Sequence, residues 1–202
     1  MRLTPGDPFM GIEELSLEIN QYVDGFRASL EQGAAAVAER YFLLPIAGGD
    51  SAYRERTYCY ELYHQIKDHW PPVLVNSPFE LGGEVDKAGH PRFQLPPLRA
   101  KKPDLLVHAP GDMDMNLVVV EVKSVSATRD EVETDLAKLT AFCTWAGYRR
   151  GFYLVFGYEK DEVVRIRAEG LASAQRNPGV GLANIDLYWH PGPLMAARRL
   201  TW

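Results

Sequence analysis

The chain has 202 residues, of which 46% are hydrophobic and 24% are charged, and its formal net charge is −5. This length suits one domain with a full hydrophobic core, and the composition is ordinary for a globular protein. The acidic balance excludes a protein that coats nucleic acid by its overall charge, because such proteins are usually basic. Binding to nucleic acid would therefore depend on a local patch, a metal ion or a partner subunit.

Signals for membrane insertion and secretion do not stand out in this sequence. It has no apolar run of about 18 residues, the length that spans a bilayer, and its N-terminal residues lack the charged-then-apolar order of a secretory signal. The two cysteines, Cys59 and Cys143, are isolated and fit a reducing compartment better than a disulfide scaffold. We therefore expect a cytoplasmic protein.

The first third of the chain is predicted to be helical. Apolar residues recur at spacings of three and four from residue 11 to about residue 39, as on one face of an amphipathic helix. A loop follows at residues 48–51, and a second helix is predicted over residues 52–69. Pro71-Pro72 is expected to end that helix.

Three strands are predicted next, over residues 79–87, 105–108 and 117–122. Residues 91–102, between the first two strands, are rich in proline and basic residues and are expected to form a loop. The turn signal Pro110-Gly111-Asp112 separates the second strand from the third. These two strands are therefore expected to pair as a hairpin.

A third helix is predicted over residues 129–146, because Thr128 and Glu131 have the spacing of a capping box. Gly147 is expected to end it. Further strands are predicted over residues 152–156, 163–166 and 185–189.

This order of elements predicts an α/β fold, with a mixed sheet flanked by helices. We interpret residues 1–202 as a single domain. Its core is predicted to run over about residues 52–157, with an N-terminal helical extension over residues 1–50 and C-terminal strands and a tail over residues 158–202.

Charged residues at the end of the third strand point to chemistry. Side chains alternate along a strand, so Glu121 and Lys123 share one face, behind the apolar run 117–120. If the second and third strands are neighbours, Asp104 lies beside Glu121. Two adjacent carboxylates repel unless a cation lies between them, and a divalent metal ion suits that position. The alternative is an exposed, salt-bridged strand face without chemistry.

These residues resemble a known family. Pro103-Asp104, then sixteen residues, then Glu121-Val122-Lys123 is similar to the motif of the PD-(D/E)XK nuclease superfamily, whose fold is restriction-endonuclease-like. The predicted order of helix, three strands, helix and strand also resembles the core of that family. The resemblance covers roughly residues 52–157.

The resemblance implies a role for each matching residue. Asp104 and Glu121 would bind Mg²⁺ or Mn²⁺, the backbone carbonyl of Val122 would add a ligand, and Lys123 would be the catalytic lysine. Many members also use a glutamate from the preceding helix. Our first candidate for it, as a catalytic and metal-binding residue, is Glu61; the alternatives are Glu55 and the weaker Glu84.

The family resemblance also suggests contacts with nucleic acid. The helix segment 135–139 lacks the Gln and Tyr pattern of the RecB-like exonuclease branch, which argues against an exonuclease of that type. The expected activity is endonuclease-like, with the choice between endonuclease and exonuclease left open. Four basic residues near the motif are our candidates for phosphate contacts: Lys101, Lys102, Arg129 and Lys138.

Two functions are compatible with the sequence. The first is a metal-dependent nuclease that hydrolyses DNA phosphodiester bonds, in bacterial genome defence, restriction or DNA processing. The second is a catalytically silent nuclease-fold subunit that binds nucleic acid or acts as a scaffold in a larger complex. DNA is the expected partner, with RNA left open, and a homodimer or a partner subunit is compatible with either function.

Overall fold

A mixed sheet of six strands lies at the centre of the computed structural model, which describes residues 12–83, 93, 98–99 and 101–202. The strands are β1 (Glu80–Gly83), β2 (Leu105–His108), β3 (Asn116–Ser124), β4 (Arg150–Phe156), β5 (Ile185–His190) and β6 (Arg198–Leu200), and they lie in chain order across the sheet. Strands β1, β2 and β3 pair antiparallel, β3, β4 and β5 pair parallel, and β6 pairs antiparallel with β5. The α/β fold with a mixed sheet is therefore confirmed.

Helices cover both faces of the sheet. They are α1 (Ile12–Ala36), α2 (Glu39–Phe42), α3 (Glu55–Asp68), α4 (Pro72–Val75), α5 (Arg129–Trp145) and α6 (Lys160–Arg176). The side chains of α1 and α3 pack on the face that carries Val118, Val120 and Val122, whereas α5 and α6 pack on the opposite face. Strand β3 is apolar on both faces over its first half because it is covered on both.

The predicted capping box at the start of α5 is present. Thr128 Oγ1 accepts from the backbone N–H of Glu131, and the Glu131 carboxylate accepts from the Thr128 N–H. A cap of this kind stabilises a helix by about 1 kcal/mol. Gly147 follows the helix with φ of +76°, a conformation that favours glycine.

Helix α1 is part of the main hydrophobic core. Phe26 and Leu30 are fully buried, and the Phe26 ring meets the edge of Phe152 on β4 at a centroid distance of 5.3 Å. Gly33 allows α1 to approach α3, because a Cβ at that position would lie 3.0 Å from the backbone nitrogen of Ile66. The residues that we predicted as a helical extension therefore include a helix that supports the sheet.

Two predictions along the chain need correction. The strand predicted over residues 163–166 is wrong, because these residues lie within α6; Val163 and Ile166 are buried at helical spacing while Val164 is exposed. Strand β6 was not predicted at all, because its three residues are too short and too basic to show a strand pattern.

The first predicted strand is found as β1 over its first half, and the rest of it, residues 84–87, lies outside the described residues. Most of the predicted loop 91–102 lies outside them too. Among the helices that the structure describes, none combines the length and the apolar composition needed to cross a bilayer.

Candidate active site

The β2–β3 hairpin brings Asp104 next to Glu121, as the sequence predicted. Leu105 pairs with Val120, so the residues one step further along each strand, Asp104 and Glu121, are neighbours. The Oδ2 atom of Asp104 also accepts from the backbone N–H of Val122 at 2.8 Å. This hydrogen bond fixes the Asp104 carboxylate across the end of β3.

Glu121 is a buried carboxylate that the protein satisfies only in part. The exposed fraction of Glu121 is 1%. Lys138 Nζ on α5 lies 2.5 Å from Oε2, but Oε1 is buried and has no hydrogen-bond partner in the part of the chain that the structure describes. Burial, together with the nearby charge of Asp104, raises the pKa of Glu121 well above its usual range, in spite of the opposing charge of Lys138.

Lys123, on the same face of β3, is held between two carboxylates. Its Nζ atom lies 3.1 Å from Glu55 Oε2 on α3 and 3.5 Å from Asp135 Oδ2 on α5. Burial acts to lower the pKa of Lys123, but the two carboxylates outweigh it and raise the pKa above its usual value. The side chain is therefore a fixed ammonium ion at neutral pH.

Helix α5 supplies a carboxylate and an ammonium that meet the strand end together. Asp135 and Lys138 are three residues apart on α5, and Asp135 Oδ1 lies 3.7 Å from Lys138 Nζ. Burial raises the pKa of Asp135. Burial acts to lower the pKa of Lys138, but the charge of Glu121 outweighs it and the pKa is raised.

We had not proposed Asp135 as a site residue, although the sequence carries a signal for it. Asp135 is buried on the same helix face as Val132, Leu136 and Leu139. A carboxylate on the buried face of an amphipathic helix requires a cationic partner, and that requirement is the signal.

The helix glutamate at the site is Glu55, and this corrects our preference for Glu61. Glu55 Oε1 accepts from the backbone N–H of Ser124 at 3.2 Å, and Oε2 contacts Lys123. Glu61 lies further along α3, where it accepts from Gln65 Nε2 of its own helix. The six-residue separation turns Glu61 about 120° away from Glu55 around the helix axis. Glu84 lies outside the described residues.

The basic residues predicted to bind nucleic acid occupy different environments. Lys138 faces Glu121 inside the site, and Arg129 Nε lies 3.6 Å from Glu169. Lys102 is exposed, and its backbone carbonyl accepts from Lys138. Lys101 is partly buried; burial and the charge of Lys138 lower its pKa. Of these four residues, Lys102 and Arg129 are therefore the exposed ones.

A cleft of about 590 Å³ opens beside these charged residues. It is lined by Glu55, Arg56, Cys59, Tyr60, Tyr63, Gly83, Asp104 and Leu105. Tyr60 is 62% exposed, so a large aromatic ring stands at the side of the cleft. A ligand in this cleft would contact two of the site carboxylates.

We call Glu55, Asp104, Glu121 and Asp135, together with Lys123 and Lys138, the carboxylate cluster. Its four carboxylates face two lysines, and negative charge stays in excess even when nearby Lys101 is counted. The raised pKa values of Asp104, Glu121 and Asp135 have the same origin, since burial opposes charges that the lysines only partly balance.

The cluster suits a small divalent cation that needs few protein ligands. Within the described part of the chain, no group of three or more His, Cys, Asp or Glu side chains is arranged to hold a metal ion. Mg²⁺ usually takes one or two carboxylates and keeps several waters. Asp104 and Glu121 meet that requirement, and the unpartnered Oε1 of Glu121 offers a donor atom.

Comparisons with protein-family models, with curated proteins and with solved structures found no match to this chain. The interpretation of the site therefore rests on its own residues and geometry.

Proposed function

We propose that this protein is a metal-dependent nuclease that hydrolyses DNA phosphodiester bonds, with a restriction-endonuclease-like fold. The observation that carries the proposal is the position of Asp104, Glu121 and Lys123 at the joined ends of β2 and β3. This is the arrangement that the PD-(D/E)XK resemblance implies for those residues. The order α3, β1, β2, β3, α5, β4 agrees with the core of that family.

In this proposal, Asp104 and Glu121 hold Mg²⁺ or Mn²⁺ together with the backbone carbonyl of Val122. A bound divalent cation neutralises charge on a phosphodiester and polarises its phosphorus–oxygen bonds. The surplus of carboxylates in the cluster supports this assignment, because surplus negative charge attracts a divalent cation.

Lys123 acts as a charged hydrogen-bond donor and not as a base. Its raised pKa keeps the ammonium protonated, so it can orient water and stabilise negative charge that develops on the phosphate. Glu55 positions this ammonium from α3 through the contact at 3.1 Å. The Glu55 carboxylate also borders the cleft, where the phosphodiester would enter.

A second function has its own supporting observation. Lys138 lies 2.5 Å from Glu121, and Lys123 is engaged by two carboxylates, so much of the charge in the cluster is already balanced within the chain. Such a cluster is compatible with a catalytically silent domain of the same fold, acting as a nucleic-acid-binding or scaffolding subunit. Metal binding distinguishes the two functions, because the silent domain needs none.

The test of nuclease activity is incubation with linear and circular DNA in the presence of Mg²⁺ or Mn²⁺. We expect cleavage by the natural protein and a loss of about a hundredfold or more in Lys123→Ala, since removing one donor that stabilises developing charge costs about that much. Lys160→Ala is the matched control, because Lys160 is an exposed lysine at the start of α6.

Equal cleavage by the natural protein and by Lys123→Ala would contradict the role proposed for Lys123. Calorimetry with Mn²⁺ is a separate test that distinguishes the two functions. Binding that disappears in Asp104→Asn supports the nuclease, whereas the absence of both cleavage and Mn²⁺ binding supports the silent subunit.

A further inference from the structure

A second cluster of charges lies on the other face of the sheet from the carboxylate cluster. Asp186 is in register with Phe152, on the face that packs against α1, whereas Glu121 faces α5. The Asp186 side chain is 2% exposed and accepts from three arginines that are far apart in the sequence. We call Asp186, Arg27, Arg150 and Arg199 the arginine cluster.

Each arginine comes from a different element. Arg27 on α1 donates from Nη2 to Asp186 Oδ2 at 2.8 Å. Arg150, the first residue of β4, donates from Nη2 to Oδ1 at 2.6 Å, and Arg199 on β6 donates from Nη2 to the same oxygen at 2.7 Å. The one carboxylate is therefore shared by three guanidinium groups.

Positive charge is in excess at the strand end of this cluster, where Arg150 and Arg199 share the one carboxylate of Asp186. Arg27 has more negative charge around it, because it contacts Asp24 on its own helix and the charge of Glu31 also acts on the neighbouring Tyr188. Arg150 Nη1 donates to the backbone carbonyl of Ala183, but its Nε is buried and has no hydrogen-bond partner among the described residues. Arg199 is 49% exposed, and its contact with Asp186 uses Nη2. A structural ion pair would need only one of these arginines.

A cavity of about 450 Å³ lies against the two arginines of the strands. Besides Arg150, Asp186 and Arg199, its walls are Leu182, Ile185, Leu200, Thr201 and Trp202. The indole of Trp202 is fixed, because its Nε1 donates to the carbonyl of Ile185 at 2.7 Å. The cavity therefore joins a cationic wall to an apolar and aromatic wall, and its volume lies within the range of about 300 to 1,000 Å³ for small-molecule sites.

We propose that the arginine cluster and this cavity form a second binding site, which takes a small phosphorylated ligand with an aromatic body, such as a nucleoside monophosphate. The planar guanidinium groups of Arg150 and Arg199 match the geometry of a phosphate group, and Asp186 holds both in place before the ligand arrives. The side chains of Leu182, Leu200 and Trp202 contact the base. This site is separate from the candidate active site and does not depend on the proposed nuclease activity.

The probe is adenosine 5′-monophosphate, measured by calorimetry in buffer that contains EDTA, with adenosine as the neutral counterpart. EDTA removes any divalent metal ion, so the carboxylate cluster cannot take up the phosphate through a metal. We expect the monophosphate to bind and adenosine to bind much more weakly. The variant Asp104→Asn is expected to bind the monophosphate as the natural protein does.

The matched variants change two neighbouring arginines of β6 one at a time. Arg199→Gln is expected to weaken binding of the monophosphate by about tenfold or more, the cost of one charge-assisted hydrogen bond. Arg198→Gln removes the same charge from an adjacent exposed residue and is expected to change the affinity by less than about twofold, since exposed charges away from a ligand act weakly. Thermal unfolding of both variants checks that they are folded.

Three results would overturn this proposal. They are no detectable binding of the monophosphate at millimolar concentration, equal binding of adenosine, and equal weakening by Arg198→Gln and Arg199→Gln. The last result would mean that the loss of binding in Arg199→Gln comes from the overall charge of the surface and not from a contact with the ligand.

Discussion

The carboxylate cluster and the arginine cluster place buried carboxylates on opposite faces of one sheet, and the two differ in the sign of the surplus charge. Glu121 has Asp104 and Asp135 nearby and only one lysine in direct contact, so its pKa is raised well above the usual range. Burial acts to raise the pKa of Asp186 as well, but Arg150 and Arg27 outweigh that effect and lower it. Burial alone therefore does not decide the charge state of a carboxylate; the balance of its neighbours does.

The sign of the surplus also indicates what each cluster can bind. A site with excess carboxylates attracts a cation, and a site with excess arginines attracts an anion. Asp104 and Glu121 are arranged for the first, whereas Arg150 and Arg199 are arranged for the second. Changing residues of one cluster at a time therefore tests this contrast.

The largest expected effect is the loss of the Asp186 charge. Asp186→Asn leaves three arginines without their shared partner, and we expect the free energy of unfolding to fall by about 3–5 kcal/mol, as when one partner of a buried ion pair is removed. Urea denaturation measures this change. Asp24→Asn is the control, because Asp24 is exposed and its ion pair is with Arg27 on its own helix; its effect is expected within about 0.5 kcal/mol.

The next effect is stabilisation by a metal ion. At a Mn²⁺ concentration about a hundred times its Kd, we expect the free energy of unfolding to rise by about 2.7 kcal/mol. Asp104→Asn and Glu121→Gln should abolish this rise, and Glu61→Gln should keep it, because Glu61 contacts Gln65 on its own helix. If Glu61→Gln also abolished the stabilisation by Mn²⁺, Glu61 would belong to the metal site, and the geometry described for α3 would be contradicted.

When no metal is present, Glu121→Gln should raise the free energy of unfolding, whereas Asp186→Asn should lower it. The raised pKa of Glu121 means that folding disfavours its charged form relative to the unfolded chain, so a neutral side chain of the same shape is expected to stabilise the folded state by about 1 kcal/mol. Lys138 keeps Asp135 as a partner in this variant. Urea denaturation in EDTA measures the change, and a loss of several kcal/mol would show that the contact with Lys138 dominates.

The smallest effect is the pH dependence of the stabilisation that we expect from Glu121→Gln. In the natural protein, the folded state takes up a proton at Glu121 as the pH falls through the raised pKa, so stability increases until the unfolded carboxylate is also protonated, near pH 4. Asp186 behaves in reverse: its contribution is present above its unfolded pKa of about 3.9 and is lost as the pH falls through the lowered value. The difference in the free energy of unfolding between Glu121→Gln and the natural protein should therefore decrease from neutral pH to about pH 5. The decrease is expected to be less than about 1.4 kcal/mol per pH unit. A constant difference would mean that Glu121 does not titrate in this range.

The sequence predicted the centre of the candidate site because that part depends on local pattern. The turn at Gly111 and the two apolar runs specify the β2–β3 hairpin, and the alternation of side chains then brings Asp104 beside Glu121. The capping box likewise predicted the start of α5 to the residue.

The rest of the site depends on how distant elements are oriented. The choice of Glu55 over Glu61 requires the rotation of α3 about its own axis relative to β3, which the helical pattern does not contain. The arginine cluster joins Arg27 to Asp186 across 159 residues, and nothing local to either residue indicates the other. Residues 163–166 of α6 were predicted as a strand because a short window of valine and isoleucine does not distinguish a strand from a helix.

The close contact at Gly33 gives α1 a mechanical role in the site. Any side chain there would press on the backbone of Ile66, and α3 would have to move by a few tenths of an ångström. Glu55 lies at the first turn of that same helix and bridges Lys123 and the backbone of Ser124, so the shift would change the reach of a hydrogen bond at the other end of the helix. Sequence variation in α1, which touches none of the six charged residues of the carboxylate cluster in the contacts described, could therefore tune how firmly Lys123 is held.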